Sequence, residues 1–423
     1  MSHPRVVRSS LVLGGLALLP ALVAARAHAA LPLYNKEGWA VATDGRAQGF
    51  FSYANGDAGP KGGSPSVDPK TGYTGDGGFA AVGDGNRDFS TSRLRGGWAA
   101  SVLGFSVTRQ ISQTLKVSAR LSFWFTVEND QAKGPANNVG SFDIRQGYLK
   151  LDGTWGGLLF GRDLGLHARQ AIIQNAILSD GNGVGSPCNI TGLGFACGQA
   201  GYGVLFPGFN PGIVYNTPSL GGLVLSVGAF DPVRFDAAGW GQTPLPRLEF
   251  EATFSRGSLV VFGDGMWQRI GKTGAADVLD AVGVGYGARV QLGPLHLGFL
   301  GGYDRGGGMY VPLGPGDMAL DSAGQLRTVQ TYWGQVMYSL GNFDVTSGVG
   351  AALAQQTPSD VAAQKDPLAP TTLIRSQVGI NAGLLYHLDA VVLVAQLFRM
   401  QHQWFNRATQ NANVVNLGAT FNW

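Results

Sequence analysis

Leu115-Lys116-Val117-Ser118-Ala119-Arg120-Leu121-Ser122-Phe123-Trp124-Phe125-Thr126-Val127-Glu128 alternates along its whole length. The odd positions are all apolar. The even positions carry Lys, Ser, Arg, Thr and Glu, with Trp124 the one aromatic among them. A helix needs apolar residues every three to four positions, whereas a strand sends successive side chains to opposite faces, so this stretch predicts a two-faced strand. The pattern returns at 282–292, where Val282, Val284, Tyr286, Ala288, Val290 and Leu292 oppose Gly283, Gly285, Gly287, Arg289 and Gln291. It returns at 247–254, with Leu248, Phe250, Ala252 and Phe254 against Arg247, Glu249, Glu251 and Thr253. It recurs again at 376–388, with Leu385 the one exception, and at 415–423.

Segment length narrows what the two faces meet. These runs are roughly 10–14 residues, against 5–6 for a usual strand and 9–11 for a tilted strand crossing a bilayer. The chain has 423 residues, of which 66 are Gly; it is 13% charged and 44% hydrophobic. Beyond the N-terminus no run of about 18 apolar residues occurs, which excludes a helical membrane bundle. The glycines have no period of three, which excludes a collagen, and the aromatic content of 10% argues against disorder. An outer-membrane β-barrel fits best; a soluble sandwich or β-helix is the alternative.

The N-terminus reads as an export signal. Arg5 and Arg8 precede an apolar run from Leu11 to Ala25, and Ala27-His28-Ala29 forms a small-residue cleavage site. Residues 1–29 are therefore expected to be removed, leaving 30–423 as a single barrel domain; a retained anchor is the alternative. Removal takes away Arg5, Arg8 and Arg26 and no acid, so the 30 Lys and Arg fall by three to match the 27 Asp and Glu. A neutral mature chain implies no nucleic-acid partner.

Hairpins set the strand count. Seven tight turns fall at 112–114, 153–157, 218–222, 256–258, 293–294, 341–342 and 388–390. Eight longer Gly/Pro/Asp stretches alternate with them, at 55–88, 130–141, 169–210, 232–246, 272–280, 306–325, 356–370 and 406–412. Fifteen connections predict an all-β, antiparallel transmembrane barrel of sixteen strands, with short turns on one side and long loops on the other. Eighteen is the alternative count, because Leu94–Arg109 and Val391–Met400 are weakly patterned.

Several strings resemble the Gram-negative general, trimeric porins of the bacterial outer membrane. Tyr34-Asn35-Lys36-Glu37-Gly38 and Asp44-Gly45-Arg46 resemble their first strand, and Ser92-Arg93-Leu94-Arg95-Gly96-Gly97 their second. Ile144 to Leu151, Trp155-Gly156-Gly157 and Phe160-Gly161-Arg162-Asp163 resemble the hairpin that leads into their third loop. Val214 to Gly222 resembles the strand and turn that follow, and Phe421-Asn422-Trp423 the aromatic ending read by the barrel-assembly machinery, although Phe is the usual last residue. The resemblance spans the mature chain in order. It implies a homotrimer in contact with lipid bilayer and lipopolysaccharide, and a third loop, 169–210, folded into the lumen as a constriction. It also implies that Arg46, Arg93, Arg145 and Arg162 line the wall facing that loop. Alternation by itself assigns Lys116, Arg120, Arg289 and Arg375 to the lumen, along with Arg247, Glu249 and Glu251.

The third loop departs from the family. An acidic Pro-Glu-Phe-Gly-type tip is missing, and Asp180 is the only acid between Leu164 and Phe230. The loop instead holds Cys188 and Cys197, the chain's two cysteines, which in an exported protein are expected to pair. No metal site or cofactor is expected. His167 reads as a solvated loop residue, as do Asp57, Asp68, Asp76, Asp84 and Asp88 of the first loop. No Gly-x-Ser-x-Gly, His-Glu-x-x-His or phosphate loop is present. The expected function is passive diffusion of small hydrophilic solutes and ions, with weak anion preference and no chemistry. The alternatives are a channel selective for a sugar or organic acid, with Trp39, Trp124, Trp267 and Trp333 as an aromatic track, and an outer-membrane barrel hydrolase.

Overall fold

The computed structural model describes residues 30–58, 88–125, 142–175, 183–186, 197–233, 239–310, 319–321, 323–365 and 373–423. The export signal 1–29, Asp180, Cys188 and most of the first loop lie outside the described residues. The strands are β1 (Leu31–Lys36), β2 (Trp39–Gly56), β3 (Phe89–Arg95), β4 (Ser101–Ser112), β5 (Leu115–Phe125), β6 (Phe142–Gly153), β7 (Gly156–Leu164), β8 (Phe209–Asn216) and β9 (Leu223–Phe230). They continue as β10 (Arg247–Arg256), β11 (Leu259–Gly271), β12 (Val278–Leu292), β13 (Leu295–Arg305), β14 (Thr328–Leu340), β15 (Phe343–Gln355), β16 (Ile374–Leu388), β17 (Val391–Trp404) and β18 (Thr409–Asn422). Two short helices, α1 (Arg169–Ile173) and α2 (Pro358–Gln364), lie in loops.

Every neighbouring pair is antiparallel, and β18 pairs with β2 from Ala412↔Gly56 to Asn422↔Arg46, which closes the ring. The result is a barrel of sixteen strands with two extra short ones. The long β2 explains the extra pair. Its first half lies between β1 and β4, and its second half between β18 and β3. The strand expected over Leu94–Arg109 is thus interrupted, with β3 and β4 on either side of 96–100. The seven tight turns and eight longer connections expected from the sequence each meet a junction between consecutive strands, although 272–280 runs into β12 and 406–412 into β18.

The faces follow the alternation. Leu121, Phe250 and Ile380 from the apolar rows are 50%, 54% and 48% exposed. Gln377, Asn381 and Asn416 from the opposite rows are fully buried. Apolar side chains therefore face outward and polar ones inward, the reverse of a soluble protein and the arrangement a bilayer demands. Packing occurs within the ring. Phe50, Phe262, Leu300, Trp333 and Leu385 on inward rows pack with Trp98, Ile172, Val184 and Val204 from the segments between strands. Leu385, the exception to the outward apolar pattern, belongs to this interior cluster; burying such a side chain contributes about 1.5–3 kcal/mol.

Candidate pore lining

Charged side chains on the inner wall separate into three groups. The first crosses β2, β5, β6 and β7. Arg120 donates from both Nη atoms to Asp44, at 2.6 and 2.8 Å, and from Nε to Gln146 Oε1 at 3.0 Å. Gln146 in turn donates to Asp163 Oδ1 at 2.8 Å. Nearer the turns, Lys116 and Lys150 share Asp152, at 3.8 and 2.8 Å. These cations are matched by acids on β2 and β6, Asp44 being reached across the intervening β4.

The second group surrounds Trp124. The guanidinium of Arg145 lies 4.8 Å from the Trp124 ring and 5.7 Å from Phe209, and that of Arg46 lies 5.8 Å from Trp124. Arg46 also donates to the carbonyls of Ala99 and Ala100, both at 3.2 Å. Parity puts Arg145 with Leu149, which is exposed, yet Arg145 is buried. The reason is a bulge: Ser122 pairs with Gln146 and Phe123 with Ile144, leaving Arg145 as the extra residue, turned inward. Its Nε donates to Asp143 Oδ2 at 3.1 Å. Arg162 falls on the outward row with Phe160, close enough to Arg145 for the two positive charges to repel. Arg93 lies on the inward row opposite Ser52, and Arg289 is buried on the inner face of β12. Arg375 occupies a second bulge, between Ile374 and Ser376, and is exposed; it does not share the buried row of Gln377 and Asn381. Trp124 and Trp333 face inward, while Trp39 and Trp267 are on outward rows, so the four tryptophans form no single track.

The third group holds the segment that follows β7. Glu249 Oε2 accepts from the backbone N–H groups of Leu166 and His167, at 2.5 and 3.0 Å. Arg169 forks onto Glu251 at 3.0 and 2.6 Å, and Arg247 pairs with Glu249 at 2.7 Å. His167 is not solvated, as the sequence led us to expect: it is buried between Asp264 on β11, at 2.6 Å from Nδ1, and Asp304 on β13, at 2.8 Å from Nε2. Gly283 and Gly285 of β12 lie between those two strands, and a Cβ on either would meet the carboxylates or the imidazole. Burial opposes charge on this imidazole, but Asp304 and Asp264 outweigh it and hold its pKa well above 6.5.

Further along, the segment reaches strands far from β7. Gln335 of β14 donates to the Gln174 carbonyl at 2.8 Å. Gln396 of β17 accepts from the N–H groups of Val184 and Gly185, at 3.0 and 2.7 Å. The Tyr202 hydroxyl lies 2.9 Å from His402 Nε2, and Cys197 is buried beside Ala200 and Tyr310. Sequence reasoning placed Glu249 and Glu251 on the inner wall but missed Asp44, Asp264 and Asp304. The available signal was a charged residue on the small-residue parity of a long strand.

A sequence profile of the Gram-negative porins matches residues 15–423. Among solved structures, the fold matches the outer membrane channel DcaP of Acinetobacter baumannii with a TM-score of 0.66 at 17% identity, over 93% of this chain and 100% of that one. It matches an anion-selective porin from Comamonas acidovorans with a TM-score of 0.59 at 15% identity, over 91% and 100%. The OmpT outer-membrane protein of Vibrio cholerae gives 0.54 at 11%, over 92% and 99%. No curated protein matches the chain by sequence.

Proposed function

This chain belongs to the Gram-negative porin family and is a channel of the bacterial outer membrane, and on that premise we propose that it passes small hydrophilic solutes and ions by diffusion, with a weak preference for anions. Family and fold point to a channel rather than an enzyme. The proposed narrowing element is the third loop, 169–210. The segment leaving β7 contacts β10, β11 and β13 through Leu166 and His167 and, within the loop, β10, β14 and β17 through Arg169, Gln174 and Val184, which it reaches by crossing within the ring; this supports the reading. We further assign residues 1–29 to a cleaved export signal, and propose a homotrimer in contact with lipopolysaccharide, each barrel being recognised by the barrel-assembly machinery through the C-terminal strand that ends at Trp423.

One observation carries the anion preference. Arg46 and Arg145 gather at Trp124 with Asp143 3.1 Å from Arg145, two cations against one acid, while the loop has Asp180 as its only acid. Wall charges elsewhere form pairs of opposite sign within 4.0 Å, such as Arg120–Asp44 and Arg169–Glu251. Matched pairs leave little field, and exposed charges beyond about 10 Å are screened at 0.1 M salt, so the arginine cluster decides what a passing ion meets. A KCl-gradient reversal potential of anionic sign is expected, and a cationic sign would refute the preference. Arg145→Glu should move that potential toward cations; an unmoved value would take Arg145 out of the constriction.

A further inference from the structure

His167 touches two carboxylates at once. Its Nδ1 is 2.6 Å from Asp264 Oδ1 and its Nε2 is 2.8 Å from Asp304 Oδ1. A neutral imidazole has one N–H to donate and one lone pair, and a lone pair facing a carboxylate oxygen at such a distance repels it. Both contacts are attractive together only if the group of three carries one extra proton. Asp264 Oδ1 already accepts from the Ala168 N–H at 3.0 Å, and the second oxygens of Asp264 and Asp304 are buried with no hydrogen-bond partner among the described residues. Two buried carboxylates thus have the imidazole as their nearest countercharge. The ring reaches them by lying over the bare glycines of β12.

We infer that His167 is a protonated positioning residue, which pins the start of the third loop to β11 and β13, and that losing its proton at alkaline pH frees this segment. The inference rests on the reading of the loop as the narrowing element only for its effect on current. The charges that face the site are Asp264 from β11, Asp304 from β13, Arg247, Glu249 and Glu251 from β10, and Arg169 from its own segment. The carboxylates outnumber the fixed arginines by two, and the imidazolium halves that excess. Asp304 and Asp264 raise the pKa of the imidazole well above 6.5 despite its burial. A raised native pKa gives an anchor fully present below pH 6.5 and lost as pH climbs through the higher native value.

Nitrogen NMR on the folded full chain labelled with 15N-histidine tests the proton directly, with His167→Gln assigning the signal. At pH 7 both ring nitrogens of His167 should carry hydrogen; an unprotonated nitrogen there overturns the inference. Asp304→Asn removes one countercharge and keeps an acceptor, and should bring deprotonation down by about 1–3 pH units; an unchanged titration also overturns it. In bilayers, open-channel current noise should rise at least about twofold on passing into alkaline pH. His167→Gln should show the noisy behaviour already at pH 6 and lose the pH dependence, and a profile identical to the unmutated protein counts against the pinning. Excising 187–196 tests the constriction separately. Unaltered conductance after excision, with His167 doubly protonated, would remove the narrowing reading and leave the pinning in place.

Discussion

Asp360 joins two loops at the rim. Arg327 Nε and Nη2 donate to its Oδ2 and Oδ1 at 2.9 and 2.7 Å, and the Thr357 N–H donates to Oδ2 at 3.1 Å. Burial raises the cost of ionising this carboxyl, but the donors from Arg327 and Thr357 outweigh it and hold the pKa below the usual carboxylate value. A lowered native pKa contributes stability above about pH 4 that is lost only as pH falls through the native value, so this contact stays constant across neutral pH. Asp360→Ala leaves a buried guanidinium without its countercharge, a change that costs about 3–5 kcal/mol. Limited trypsinolysis of the folded variant should cut at Arg327 or Lys365 where the unmutated protein resists, and equal resistance would show that the pair holds nothing. At this scale the sequence was least legible. His167 meets partners 97 and 137 positions away, so no local pattern distinguished it from a loop histidine in water.

Strands were far more legible, because period-two alternation is local and repeats within each element. The Val282–Leu292 pattern predicted both the outward apolar row and the inward glycines. Legibility stopped at bulges. One inserted residue reverses every later side chain, so parity could not show that Arg145 turns inward and does not carry through the bulge at Arg375, while Arg120 and Arg289 lie on the inner row it assigned. The short strands β1 and β3 were not expected as separate elements, since each flanks only one half of the long β2. The loop that holds Cys197 allows a prediction of its own. A Cys188–Cys197 bridge closes about ten residues and should stabilise their fold by about 2–3 kcal/mol in the chain-entropy account. Unreduced mass spectrometry of exported protein should find no alkylatable thiol, and two modified cysteines would rule the bridge out.

For the molecule as a whole, fifteen alternating connections predicted the sixteen-strand count, because a tight turn and a long loop have different compositions wherever they fall. Protein refolded into detergent should show a strand-rich circular dichroism spectrum and migrate as a trimer that heat dissociates. A species that remains monomeric under all mild conditions would remove the trimer and leave the barrel. The seam between β2 and β18 has a consequence for biosynthesis. Backbone pairing runs from Ala412↔Gly56 to Asn422↔Arg46, with Gly45 and Trp423 exchanging a final pair of hydrogen bonds. The first long strand to leave the ribosome therefore waits for the last. A product that stops before residue 409 keeps two raw sheet edges, which no bilayer tolerates. Closure thus acts as a completeness check written into the topology: a prematurely ended chain has no ring to insert.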